Sequence, residues 1–503
     1  MDRGCGALLA GCGVVLALAA PAAARVARLP RPPVGPRVGT APWRIGDENR
    51  RNGDSGWLAP EDVNHALEAY ASEPSVAPGG TLHLRVSTAP AAPYLIRVYR
   101  LGWYGGSGAR LVACMPSDCV ATEQGRPQPL PSPDPSTGLV RANWPVTDSI
   151  RIERNWTSGY YAARLISPDG GQVNAVLFVV TDPPTERSQI LVEVPVNTWE
   201  AYNSWGGKSL YNFNSDGQVP ANRVSFDRPW APGSQSQFFA WGIQLVRFLE
   251  REGYDVSYTT DVDVDRDPAE LQRHALVIVN GHGEYWTGRM RDAFDAARNA
   301  GVNLAFIGAN IGYWQVRYED DRRTVVGYKE LPDPVTDPAL RTTLFRLLAP
   351  SKVECALLGV QHQGSLRRSG MPPVDYTVNP AALSDPWFAG TGFTATSVLP
   401  DLVGPEWDQV VSPHLAPACK FSNLTVFFHH EGTPGNADAV RYVARSGARV
   451  FSAGSLQFAW GLDTFLTEER GHTAPADPRL QQFMRNALAD LTSPPLPDPF
   501  GPP

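Results

Sequence analysis

Near Thr181-Asp182-Pro183-Pro184 the hydrophobic rhythm of the chain changes, and this change restricts the fold more than any other feature. Upstream, apolar and polar residues alternate with period two at 75–88 and 94–100, and short strand-like runs at 149–152, 161–165 and 175–180 continue the series. Turn signals such as Pro78-Gly79-Gly80 and Gly105-Gly106 separate them. Alternation of this kind sends one face of each strand to a core and the other to solvent. A series of such strands predicts an immunoglobulin-like β-sandwich over residues 66–184.

Downstream the period lengthens. Residues 190–196 form an apolar run, and Phe239, Ile243, Val246 and Leu249 recur at helical spacing before Gly253. A strand at 254–258 and a continuous apolar run at 275–279 follow. Thr287 caps a helix that Gly301 stops, and residues 302–307 form the next strand. Strand–helix–strand repetition predicts a parallel sheet with right-handed crossovers. Residues 424–428 and 448–451 add later strands, and a helix within 457–491 closes the region. The expected fold is therefore α/β plus all-β: the sandwich, then a glutamine-amidotransferase-like α/β domain over 185–495 with a mostly parallel sheet.

A length of 503 residues exceeds one core and predicts two or three domains. Asp2-Arg3, the apolar run at 7–20 and Ala22-Ala23-Ala24 make residues 1–24 an expected signal peptide. Leu9-Ala10-Gly11-Cys12 also fits a bacterial lipobox, which would place a lipid anchor on Cys12. Residues 25–65 read as a linker rich in Pro and Arg, and 496–503 as a tail. Beyond the leader, Cys114, Cys119, Cys355 and Cys419 form an even set, with Cys114–Cys119 and Cys355–Cys419 the natural disulfides of an exported chain. A net charge of -7 without a basic cluster argues against nucleic acid as a partner. No later stretch is long and apolar enough to span a membrane.

In an open parallel sheet, ligands bind beyond the carboxyl ends of the strands. Four polar clusters fall there: residues 197–203, His282 with Glu284, Asn310, and His429-His430-Glu431. His282-Gly283-Glu284 sets an imidazole beside a carboxylate on a tight turn, which suits metal ligation or general base catalysis. Zinc held by His282, Glu284, His429 and His430 is chemically allowed, although H-E-x-x-H is absent and adjacent strand residues face opposite ways. No G-x-S-x-G nucleophile elbow follows a strand.

Residues 99–106 (YRLGWYGG), 156–161 (WTSGYY), 197–203 (NTWEAYN), 281–286 (GHGEYW) and 453–455 (AGS) together resemble the large subunit of N,N-dimethylformamidase and its relatives, over roughly 66–491. The resemblance implies amide hydrolysis at one ferric ion held by two tyrosinates and a glutamate, with metal-bound hydroxide attacking the carbonyl. Carried over residue by residue, it makes Tyr161, Tyr202 and Glu284 the ligands. His282 becomes an acid/base or orienting residue, Asn310 a polar pocket group and Glu431 a second carboxylate. Strand alternation with Ala163 and Leu165 reads Tyr161 as core instead; only the motif register selects it. The implied substrate is a small linear amide, and the implied partners are a small subunit or further copies of the chain. A rival reading is a cell-surface or carbohydrate-binding protein that uses Trp199, Trp205, Trp286 and Trp314 as a stacking cleft.

Overall fold

The computed structural model describes residues 45–58, 65–170, 173–183, 187–231, 236–365 and 372–496. The expected signal peptide, Cys12, linker residues 25–44 and 59–64, and tail residues 497–503 lie outside the described residues. The chain is a mixed α/β protein with several sheets, mostly strand and with few helices.

The alternating N-terminal runs build two antiparallel sheets. One joins Leu67–Ala71, Thr81–Thr88 and Asp148–Arg151. The other centres on Pro93–Leu101, Gly159–Ile166 and Val173–Val180. Their inward residues, among them Leu82, Leu84, Ile96, Val98, Ile150, Ala163, Leu165 and Phe178, share one core. Successive side chains in a strand point to opposite sides, so the second sheet gives Tyr161, Ala163 and Leu165 to this core and Tyr160 and Ala162 to the core of the second region.

The second region carries a nine-stranded sheet. Its strands, in chain order, are β1 (Ile190–Val194), β2 (Val256–Thr260), β3 (Leu276–Asn280), β4 (Asn303–Ile307), β5 (Val374–Val378), β6 (Val398–Val403), β7 (Thr425–His430), β8 (Ala437–Val443) and β9 (Arg449–Ser452). They lie in the order β2-β1-β3-β4-β9-β8-β7-β5-β6. The first five run parallel and the remaining pairings are antiparallel. The sheet is thus half parallel, not mostly parallel. The links 431–436 and 444–448 are too short for the crossover that parallel neighbours require, so β7, β8 and β9 fold back as hairpins.

Six helices matter here: α1 (Val196–Tyr202), α2 (Ser236–Trp241), α3 (Ile243–Arg251), α4 (Asp261–Arg266), α5 (Gly288–Asn299) and α6 (Pro478–Leu491). Thr287 caps α5 by accepting the Met290 N–H, and Met290, Phe294 and Ala297 press one apolar stripe onto the sheet. Among the described residues no helix is long and apolar enough to cross a membrane.

The two regions pack directly. Arg100, from the sandwich, sends a bidentate pair of hydrogen bonds to Glu250 on α3 at 2.8 and 2.9 Å, with both side chains fully buried. Part of the segment expected to be a linker belongs to this packing. Ile45 and Trp57 enter the main core, and buried Glu48 accepts hydrogen bonds from Tyr104 and Arg110, each at 2.7 Å. Disulfides join Cys114 to Cys119 and Cys355 to Cys419, a pattern compatible with export.

Candidate functional site

The carboxyl ends of β1, β3 and β4 meet where two loops cross. Gly281 adopts φ +84°, and a Cβ added to Gly308 would stand 1.9 Å from the Gly281 carbonyl oxygen. Only glycine permits that approach. Beyond the crossing, Glu284 is held by its backbone: its N–H donates to Thr198 Oγ1 at 3.0 Å, and its carbonyl accepts the N–H groups of Tyr313 and Trp314. The side chain of a 4 % exposed residue is thereby aimed at one place.

Two phenols converge on that carboxylate. Tyr202, the last residue of α1, donates its hydroxyl to Glu284 Oε2 at 3.1 Å, and Tyr211 donates to the same oxygen at 2.7 Å. Their rings lie 4.3 Å apart. Tyr285 donates to the Tyr211 oxygen at 2.5 Å, and Lys329 Nζ donates to the Tyr285 oxygen, also at 2.5 Å. The Lys329 ammonium lies 3.3 Å from the centroid of the Tyr211 ring. Burial, reinforced by the Glu284 charge, pushes the phenols of Tyr202, Tyr211 and Tyr285 well above their ordinary range. Without a further cation they stay protonated; a metal ion would replace the protons.

On the other side, His282 Nε2 lies 3.5 Å from Glu284 Oε2 and 3.3 Å from Glu406 Oε2, in hydrogen-bond geometry with neither. Burial pulls the imidazole down, but Glu406, with Glu284 and Asp408 behind it, carries it above its usual value. Burial conversely raises Glu406, while His282, His362 and Asn310 bring it below the ordinary carboxylate range. Asn310, at φ +54°, is fixed by its backbone N–H to Asp408 (2.9 Å) and its amide to Glu406 (2.8 Å). His362 stands 3.6 Å from Asp408. Buried His282 Nε2 and Asn310 Oδ1 have no hydrogen-bond partner among the described residues. Orphaned polar atoms at such a spot mark where a ligand or water completes the site.

The expected residues divide accordingly. Tyr202, His282, Glu284 and Asn310 come together. Tyr161 does not: it is fully buried in the sandwich core, stacked on Trp156 at 5.2 Å, with its hydroxyl on the Thr157 carbonyl at 2.7 Å. The alternation with Ala163 and Leu165 describes it and the motif register does not, because both neighbours share its core. Glu431 sits exposed in the β7–β8 turn, and β7 is separated from β4 by β9 and β8. His429 pairs with Asp438 at 2.5 Å and His430 bonds backbone carbonyls, so neither joins His282 in a zinc set. Among the described residues no three His, Cys, Asp or Glu side chains are grouped to hold a metal. Trp199, Trp205 and Trp286 are 4 %, 2 % and 0 % exposed, which withdraws three of the four proposed stacking rings from an open cleft.

Sequence reading missed Tyr211, Tyr285 as a relay, Lys329 and Glu406. Tyr211 lies in an irregular aromatic stretch and Glu406 follows a Gly-Pro turn, and neither carries a periodic signal. The sole hint was the clustering of aromatic residues at 199–213.

Residues 95–474 match the family described as N,N-dimethylformamidase beta subunit-like, C-terminal. No curated protein matches. Among solved structures, titin domains z1z2 in complex with telethonin align with a TM-score of 0.12 and 14% identity, over 25% of this chain and 57% of that one. A family 123 glycoside hydrolase from Clostridium perfringens aligns with a TM-score of 0.12 and 10% identity, over 48% and 72%. The chain thus spans little more than half of the titin fragment, and neither likeness bears on fold or function. The family match covers most of the chain, which belongs to the N,N-dimethylformamidase beta subunit-like family.

Proposed function

We propose that this member of the dimethylformamidase-like family is an exported hydrolase of small linear amides, with Tyr202, Tyr211 and Glu284 holding a single ferric ion. One observation carries the reading: two buried phenols converge on one oxygen of a buried carboxylate. Phenolate and carboxylate are hard oxygen donors and suit Fe(III) better than a soft metal. The donor set is therefore Tyr211 in place of Tyr161. Bound there, the ion would supply Lewis acidity toward an amide carbonyl and a nearby water.

The chain's own residues take the remaining tasks. His282 Nε2, between two carboxylates, is placed to accept a proton from water and return it to the departing amine. Glu406, 3.3 Å from that imidazole, raises its basicity, and Asn310 in turn orients Glu406. The free Asn310 Oδ1 is an acceptor for an amide N–H or for water. Lys329 and Tyr285 bias the Tyr211 oxygen toward negative charge. We read the N-terminal sheets as the immunoglobulin-like sandwich and the second region as the glutamine-amidotransferase-like domain, and the two disulfides support export.

The test is metal analysis and visible absorption of protein from iron-replete culture, with amine release from a panel of N-alkylamides. Ferric phenolate absorbs visible light, so coloured protein with about one iron per chain is expected. Colourless, metal-free protein that releases no amine would sink the reading.

A further inference from the structure

Behind the site lies a second pair of buried acids. Glu193 is in β1 and Asp261 opens α4; both side chains are fully buried. Because β1 pairs in parallel with β2, Glu193 opposite Thr259 and Val194 opposite Thr260, Asp261 emerges beside Glu193 at the carboxyl edge. Both Glu193 oxygens and Asp261 Oδ1 lack a hydrogen-bond donor among the described residues. The groups facing the pair are Asp263 on α4, Tyr160 from the sandwich and Tyr318, with Asp265 beyond it; the nearby Arg266 and Arg322 pair with Asp263 and Asp265. Two carboxylates in a dry place without a cation cannot both stay ionised. One proton between them makes a donor of one and satisfies an acceptor of the other.

The pair also touches the helix that carries the site. Asp261 Oδ2 accepts the Asn197 backbone N–H at 2.7 Å. Asn197 donates its amide to the Tyr285 carbonyl at 3.1 Å and accepts the Tyr318 hydroxyl at 2.7 Å. The next residue, Thr198, receives the Glu284 N–H. From these contacts we propose that Glu193 and Asp261 share one proton, and that this pair is a clamp positioning α1, with Thr198 and Tyr202, at the site. The relevance to catalysis rests on the amide-hydrolase reading; the shared proton does not.

Burial lifts both carboxyls above their ordinary range, and the Glu193 charge lifts Asp261 further. Acids raised in the folded state bind extra protons there. Their contribution to stability is full below the unfolded values near ~4 and falls as pH rises through the folded ones. Infrared difference spectra of the intact protein should show a protonated-carboxyl C=O band at neutral pH that Glu193→Gln or Asp261→Asn removes. Glu193→Gln, permanently neutral, should lose that part of the decline in melting temperature with rising pH. Hydrogen exchange across 196–202, corrected for intrinsic rate, should lose its pH dependence in the same variant. Absence of the band in wild-type protein overturns the shared proton even where a variant fails to fold, as do parallel stability curves. A band that disappears while exchange across 196–202 is unchanged overturns the clamp. Wild-type protein inactive on every amide would instead sink the functional reading and leave the band untouched.

Discussion

Tyr211 donates its hydroxyl to Glu284 Oε2 at 2.7 Å across a separation of 73 residues, and Tyr202 meets the same oxygen. A single carboxylate oxygen shared by two phenols is the centre of the site, and substitutions around it separate its parts.

Tyr211→Phe and Tyr202→Phe should each abolish the visible band and reduce bound iron from about one per chain to a small fraction. Tyr161→Phe should retain both, since its hydroxyl donates to the Thr157 carbonyl within the sandwich core. Absorbance and metal content of the three proteins decide the ligand set; loss of colour in Tyr161→Phe alone would reverse it.

The His282–Glu406 pair predicts a pH window. The imidazole is raised in the fold, so its contribution is full below its unfolded value near ~6.5 and lost as pH climbs through the folded one. Glu406 is lowered, so its contribution is present above ~4.3 and lost as pH falls. In chelator-treated protein, Glu406→Gln should lower melting temperature most between those limits and least at acid pH. Melting curves across pH check this.

Arg100→Ala would strand the Glu250 carboxylate in a dry seam. Chemical denaturation should show a loss of about 3–5 kcal/mol. The double variant Arg100→Met/Glu250→Met should lose much less, because no unpaired charge remains.

The disulfides should differ in weight. Cys355–Cys419 spans 64 residues and Cys114–Cys119 spans 5. Loop-closure entropy assigns about 4 kcal/mol to the first and about 2 kcal/mol to the second. Paired Cys→Ser variants compared by denaturant midpoint test the order.

Gly308→Ala places a methyl group 1.9 Å from the Gly281 carbonyl, a backbone atom with nowhere to rotate. The loop bearing His282 and Glu284 must shift, at about 1–3 kcal/mol by analogy with overpacked cores. Iron retention should fall more sharply than melting temperature.

Much of the framework was legible along the chain. The alternation at 81–88 and 161–165, the apolar run before Gly281 and the Thr287 cap are local patterns, and each became the element it suggested. The His282–Glu284 turn was visible because a strand end and a glycine are local as well. The half-antiparallel sheet was less so, since hairpin returns at 431–436 and 444–448 depend on which strand edge is free.

By itself the sequence set the strand and helix runs on either side of residues 181–184, the strand-end turn holding His282 and Glu284, and the cysteine pairing, while Tyr202 came from the resemblance alone. Only the tertiary structure decided that Tyr211, not Tyr161, shares the carboxylate, and that Glu406 and Lys329 complete the surroundings. The reason is physical. Periodicity records which face of an element is buried, whereas a site of this kind is a meeting of separate loops, Tyr211 and Glu284 being 73 residues apart, and their register is settled by packing that no local pattern encodes.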